Sequence, residues 1–179
     1  MPGTPELEPE LEEVCMRFAL FAVVGAGLTL GVLGPALAQN LSVTPPGGRV
    51  ADVVRAPAGS EMVYVAGQTA DPLPGGEPSR LGDTRTQTVS VLAKIQLFLQ
   101  AQGYSLEDVV MMRVALVGDP AKGGAMDFAG MNAGYAQFFT QTHNKPARMT
   151  TQVTALTAPG ALVEIEVQAA KAPKSAGRN

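Results

Sequence analysis

The chain has 179 residues, room for one ordinary domain with a real core and too little for two comfortable ones. Its 16 acids outnumber its 13 Lys and Arg, yet setting aside residues 1–38, with five glutamates and the lone Arg17, leaves 11 acids against 12 bases. That balance lacks the basic excess of a dedicated nucleic-acid binder. The single cysteine, Cys15, and the single histidine, His143, leave residue 39 onward without a disulfide framework, a thiolate nucleophile, a cysteine zinc site or a His-rich metal site.

The first forty residues read as an address. Arg17 precedes an apolar run from Phe18 to Leu33, followed by Gly34-Pro35 and Ala36-Leu37-Ala38. This is the layout of a secretory signal peptide over 16–38, cleaved after Ala38; the alternative is an uncleaved membrane anchor. Glycines within the run and the small-residue site favour cleavage, and with no twin-arginine pair general secretion is the simpler route. The glutamates before Met16 have the wrong sign for the start of a leader, so residues 1–15 are expected to be an over-extended start. The expectation is a periplasmic or secreted domain, free of the membrane after cleavage.

Residues 39–60, rich in Pro, Gly and Ala, predict an extended lead-in. Met62–Ala66 is a short β run, stopped by Gly67-Gln68, and the prolines and glycines of 71–82 mark an exposed loop. Thr88, Val91, Leu92, Ile95, Phe98 and Leu99 make one helical stripe, with Asp83 or Thr84 as N-cap and Gly103 as stop. Val109–Val117 reads as a buried strand ended by Gly118-Asp119-Pro120. A second helix spans about 127–140, with Phe128, Met131, Tyr135, Phe138 and Phe139 on one stripe. A strand opening at Arg148, a turn at Ala158-Pro159-Gly160 and a strand from Leu162 to Ala170 complete the order β, loop, α, β, α, β, β. Residues 172–179 read as a flexible tail.

This is an α+β pattern: a sheet with two helices that can cover only one face. The other face is expected to carry Arg148, Thr150, Gln152 and Glu164, and a polar face of that kind lines a cleft or meets a partner subunit. Arg148 has two readings. A guanidinium at a strand start can hold a planar carboxylate through two parallel hydrogen bonds. Equally, it can make a structural ion pair with Glu164 or Glu166. Glu164, in V-E-I-E-V, can move a proton or orient a water, or it is an ordinary glutamate on a solvated face. Asn132 borders the second helix's apolar stripe and either turns to a site or is a helix-border polar residue. His143 reads as a capping or loop residue. The methionines at 111, 112, 126, 131 and 149 read as core filler.

Together V-Y-V-A-G-Q (63–68), L-F-L-Q-A-Q-G-Y-S-L-E-D-V-V, M-N-A-G-Y-A-Q-F-F and K-P-A-R followed by P-G-A-L-V-E-I-E resemble, in order, the Rid (YjgF-type) family of enamine/imine deaminases, over about residues 50–171. The resemblance implies the chorismate-mutase-like Rid fold, a mixed sheet with two helices on one face. It also implies a homotrimer with sites between subunits and no cofactor. It assigns Arg148 to the carboxylate of a 2-imino or 2-enamino acid, Glu164 to the attacking water, and Gly67, Asn132 and Thr150 to the substrate-binding surface. Ammonia leaves and a 2-keto acid remains. The chain departs from the family pattern at Val53, where a site tyrosine is usual, at Ala66, where a serine is usual, and at Thr150, where many members have cysteine. A non-catalytic trimer binding a small carboxylate is therefore the second reading. A ribonuclease is a distant third, disfavoured by the charge balance and the missing His pair.

Overall fold

The computed structural model describes residues 39–75, 77 and 80–172. The readings made for the leader, the over-extended start and the tail beyond 172 lie outside the described residues. No described helix is long and apolar enough to cross a membrane.

The lead-in is not merely extended. Strands β1 (Leu41–Val43) and β2 (Val53–Arg55) pair antiparallel into a small ladder of their own. The main sheet holds β3 (Glu61–Thr69), β4 (Val109–Val117), β5 (Ala147–Val153) and β6 (Val163–Lys171), in the order β3-β6-β4-β5. All its pairings are antiparallel except β4 with β5. A parallel neighbour demands a crossover, and helix α2 (Phe128–Phe139) lies within that connection; α1 (Thr84–Ala101) joins β3 to β4.

Both helices pack on one face, as the stripes imply. Along β6, Val163, Ile165, Val167 and Ala169 are buried, and they face Val91, Leu92, Ile95 and Leu99 of α1 and Met131, Tyr135 and Phe139 of α2 in one core. Asp83 is the N-cap of α1, its carboxylate accepting from the Thr86 amide at 2.8 Å; Asp127 caps α2 through the Gly130 amide at 3.0 Å. The helices approach closely where Gly134 meets Thr88.

Four expectations need correction. Strand β3 does not stop at Gly67-Gln68: it runs to Thr69 by way of a bulge between Val65 and Gln68, where three steps along β3 match two along β6. Phe98 is 45% exposed rather than part of the α1 stripe, because the stripe's last turn is filled by Leu99. Met149 is 47% exposed, so it is not core filler. The fourth concerns the face that Arg148 occupies.

Candidate functional site

The pleat decides that face. Arg148 pairs with Met112, which pairs with Val167, and both of those are buried under the helices. Arg148, Thr150 and Gln152 therefore project to the helix side of the sheet. Met149 and Thr151 project to the open side, together with Arg113, Ala115, Glu164 and Glu166. The expectation that Arg148, Thr150 and Gln152 share the open face with Glu164 is thus wrong. The alternation was correct but its phase was inverted, since β5 is an edge strand that the helix layer covers only in part.

On the helix side, α2 supplies the surroundings of Arg148. Residues Phe128, Met131, Asn132 and Tyr135 recur at i, i+3, i+4 and i+7, one helix face. The guanidinium donates to Asn132 Oδ1 at 2.8 Å and approaches Met131 Sδ at 3.8 Å. Its Cζ lies 4.5 Å from the Tyr135 ring centroid and 5.9 Å from that of Phe128. Tyr135 is itself fixed, stacked on Phe139 at 4.5 Å with 9° between the planes, and its hydroxyl donates to the Arg49 carbonyl at 2.9 Å. Burial pushes the Tyr135 phenol far above its ordinary range, with the Arg148 charge opposing, so the phenol stays a donor. Burial also lowers the Arg148 pKa, Tyr135 acting to raise it and Arg49 to lower it further; a guanidinium starts high enough to keep its charge.

The ion-pair reading of Arg148 fails. Glu166 pairs with Arg113 across the open face, and Glu164 lies on that same open face. Among the described residues Arg148 has no carboxylate partner, so a half-buried cation is left with one amide oxygen and aromatic faces. Two residues along, the Thr150 hydroxyl is buried with no hydrogen-bond partner. Asn132 turns to Arg148 and is not simply a border residue.

Glu164 belongs to a separate shallow cavity of about 190 Å³ on the open face, lined by Gly67, Ala115, Thr151, Glu164 and the Arg113–Glu166 pair. A Cβ on Gly67 would collide with the Glu164 carboxylate and its methylene stem, so the glycine is what lets that side chain lie across β3. A larger groove of about 480 Å³ runs between β3 and α1, lined by Tyr64, Ala66, Gln68, Phe98 and Gln102 among others, without a charged side chain. One chain therefore brings Arg148, Asn132 and Thr150 together, and separately Gly67 and Glu164.

The connector into β5 is braced on both flanks. Lys145 Nζ donates to the Phe139 carbonyl and, at 3.2 and 2.5 Å, to those of Thr140 and Thr142, at the negative end of α2. The Glu107 carboxylate accepts from the backbone amides of His143 and Asn144 at 2.9 and 3.0 Å. Pro146 then accepts from the Ala51 amide at 3.0 Å. The His143 side chain is 95% exposed, a loop residue as expected. Sequence reasoning passed over Tyr135, Arg49 and Glu107. Only Tyr135 gave a signal, standing one helical turn after Asn132.

A family model described as endoribonuclease L-PSP matches residues 49–171. The chain belongs to the Rid (YjgF-type) family. Among curated proteins, a RutC family protein of Pyrococcus horikoshii is 38% identical over 110 residues, which is 62% of this chain and 79% of that one. A RutC family protein of Saccharolobus solfataricus is 34% identical over 112 residues, 62% and 80% of the two chains. Among solved structures, a Rid-family protein of unknown function from Yersinia pestis superposes with TM-score 0.60 at 28% identity, over 73% of this chain and 98% of that one. E. coli TdcF with bound serine superposes with TM-score 0.52 at 28% identity, over 73% and 92%. Membership of the Rid family supports a small-molecule-binding or deaminase-type function in general terms.

Proposed function

We propose that this Rid-family protein hydrolyses 2-imino and 2-enamino acids to 2-keto acids and ammonia without a cofactor, as a homotrimer with its sites between subunits. The observation that carries the reading is Arg148: a half-buried guanidinium held by Asn132 and Tyr135, with no carboxylate of the described chain to answer it. Leaving such a charge uncompensated costs free energy, and a ligand carboxylate recovers it by charge-assisted hydrogen bonds. A relative with bound serine, a small molecule bearing a carboxylate, is consistent with that ligand class.

In this reading the substrate carboxylate sits on Arg148, with Thr150 and Asn132 beside it. Glu164 of a neighbouring subunit orients a water toward the imine carbon and takes up its proton. Glu164 returns that proton to the nitrogen to give a carbinolamine, and the hydroxyl proton then passes to the nitrogen as the C–N bond breaks, releasing ammonia and leaving the carbonyl of the keto acid. Imine hydrolysis has a modest intrinsic barrier, so holding the carboxylate and one water in line supplies much of the acceleration. The opposite faces of Arg148 and Glu164 within one chain are the reason for proposing a subunit boundary.

The test is keto-acid release from imino acids generated in situ by an amino-acid oxidase. Arg148→Ala should lower kcat/KM by about 100-fold, the worth of a charge-assisted, bidentate contact. Its melting temperature should change little, because losing the contacts to Asn132 and Tyr135 is offset by removing a half-buried cation that has no carboxylate partner. Equal rates for the two proteins would remove the central claim.

One observation favours the second reading, a trimer that binds small carboxylates without turnover. Val53 is 57% exposed on β2 and Ala66 lies within the bulge, and neither offers a hydroxyl where relatives of the resembled pattern have one. An Arg148-dependent rise in melting temperature with keto acids, and no ammonia from any imino acid, would select it. Ribonuclease chemistry is not proposed: the one histidine of the chain pairs with Glu107 at 3.4 Å, and the charge balance gives no phosphate-tracking face.

A further inference from the structure

A second arginine belongs to a segment fastened to the same tyrosine that carries Arg148. Arg49 lies in the bend ahead of β2, and its carbonyl receives the Tyr135 hydroxyl at 2.9 Å, while the Tyr135 ring carries the Arg148 guanidinium at 4.5 Å. One buried tyrosine therefore ties both arginine-bearing segments to the same spot. Arg49 is exposed, and among the described residues it has neither a salt bridge nor a side-chain hydrogen bond. Its charge reaches Arg148 and pushes that guanidinium's pKa down, and no carboxylate of the described chain acts in the opposite sense.

Like charges brought together without an acid between them raise the energy of the empty site and favour whatever neutralises both. A ligand with one carboxylate answers Arg148 and leaves Arg49 facing water. A ligand with a second anionic group answers both. We propose that Arg148 and Arg49 together read two carboxylates of one ligand, so that the site prefers a 2-imino or 2-keto dicarboxylate over its monocarboxylate counterpart. This rests on Arg148 being the carboxylate-binding residue of the proposed function. The two arginines differ in kind: Arg148 is braced by α2 and sets the pose, whereas Arg49 stands at the exposed rim and sets the preference.

The probes are 2-oxoglutarate and 2-oxobutanoate, titrated calorimetrically into the full chain at low and high salt, with Arg49→Gln and Arg148→Gln alongside. The wild type should bind 2-oxoglutarate about three- to fivefold more tightly, the worth of one added ion pair at an exposed rim. Arg49→Gln should abolish that preference while keeping its affinity for 2-oxobutanoate, and added salt should narrow the wild-type gap. Equal wild-type affinities, both lost in Arg148→Gln, would overturn this inference and leave the carboxylate-binding reading standing. Binding of neither ligand, or binding indifferent to Arg148→Gln, would overturn both. If wild type shows no preference and Arg49→Gln lowers the sedimentation mass, Arg49 answers a neighbouring subunit's carboxylate, and the inference fails.

Discussion

Glu107 shows how a residue remote from Arg148 in sequence holds it in place. Burial opposes its charged form, but the backbone amides of Asn144 and His143 outweigh burial, with the His143 side chain adding to them, and keep its pKa below the ordinary 4.5. A carboxylate whose pKa is depressed on folding contributes stability that is complete above its unfolded value and is lost as pH falls through the folded one. The contribution of Glu107 should therefore be intact at neutral pH, begin to fall near 4.5 and be lost as the pH drops through the lower folded value. Acid titration of Glu107→Gln should begin from a lower stability at pH 7 and lose less on acidification than wild type. Parallel curves for the two proteins would show that the 143–144 connector does not depend on that carboxylate. At this scale the sequence named Arg148, Glu164 and Asn132 by motif, but it could not reveal Glu107. Its partners are backbone amides more than thirty residues away, and no side-chain pattern marks them.

Among the elements, β4 was the most legible, because an apolar, β-rich run interrupted only by Arg113, between a polar turn and Gly118-Asp119-Pro120, admits little else. The α2 boundaries followed from Asp127 in the same way. What stayed hidden was relative phase. The alternation along β5 sorts its residues into two sets, but only the pairing with β4 tells which set meets the helices. Polar Arg148, Thr150 and Gln152 looked like the solvent set, yet Gln152 is occupied with the Gly124 carbonyl and the Met126 amide, and Arg148 with α2. The bulge in β3 was hidden for a related reason: an extra residue shows only against a partner strand. The helix spacing that positions Asn132 depends on Gly134, where an added Cβ would come within 2.7 Å of Thr88 Cβ and 3.0 Å of the Arg85 carbonyl. Gly134→Ala gains about 1 kcal/mol of helix propensity. Against this, overpacking a tight contact with backbone costs about 1–3 kcal/mol. The variant should therefore unfold at lower urea with an unchanged m-value, and lose ligand binding as α2 carries Asn132 and Tyr135 away from Arg148.

For the whole molecule, the two parts of the proposed site lie on opposite sides of one sheet. If each working site takes Arg148 from one subunit and Glu164 from the next, two inactive variants should rescue each other. Trimers reassembled from equal amounts of Arg148→Ala and Glu164→Gln chains should recover about a quarter of wild-type activity, since each head-to-tail boundary has two independent places to fill. Recovery near zero, with mixed trimers demonstrated by mass, would mean that each site draws both groups from the same chain. The charge balance of residues 39–179 lacks the basic excess expected of a dedicated nucleic-acid binder. The motif order indicated the family. Neither could indicate that the chain divides its candidate groups between two faces, because that depends on three-dimensional pairing.

The bracing of the connector has an evolutionary consequence. Arg148 and Met149 are chain neighbours on opposite sides of β5, so a strand slipped by one position would exchange a cation for a thioether. Surface loops usually absorb single-residue insertions and deletions, but this one is fastened by Lys145 at its helix end, by Glu107 in its middle and by Pro146 at the strand. Its length is thus part of what positions Arg148. Relatives that keep the arginine should tolerate changes of residue between 140 and 146 far better than changes in their number.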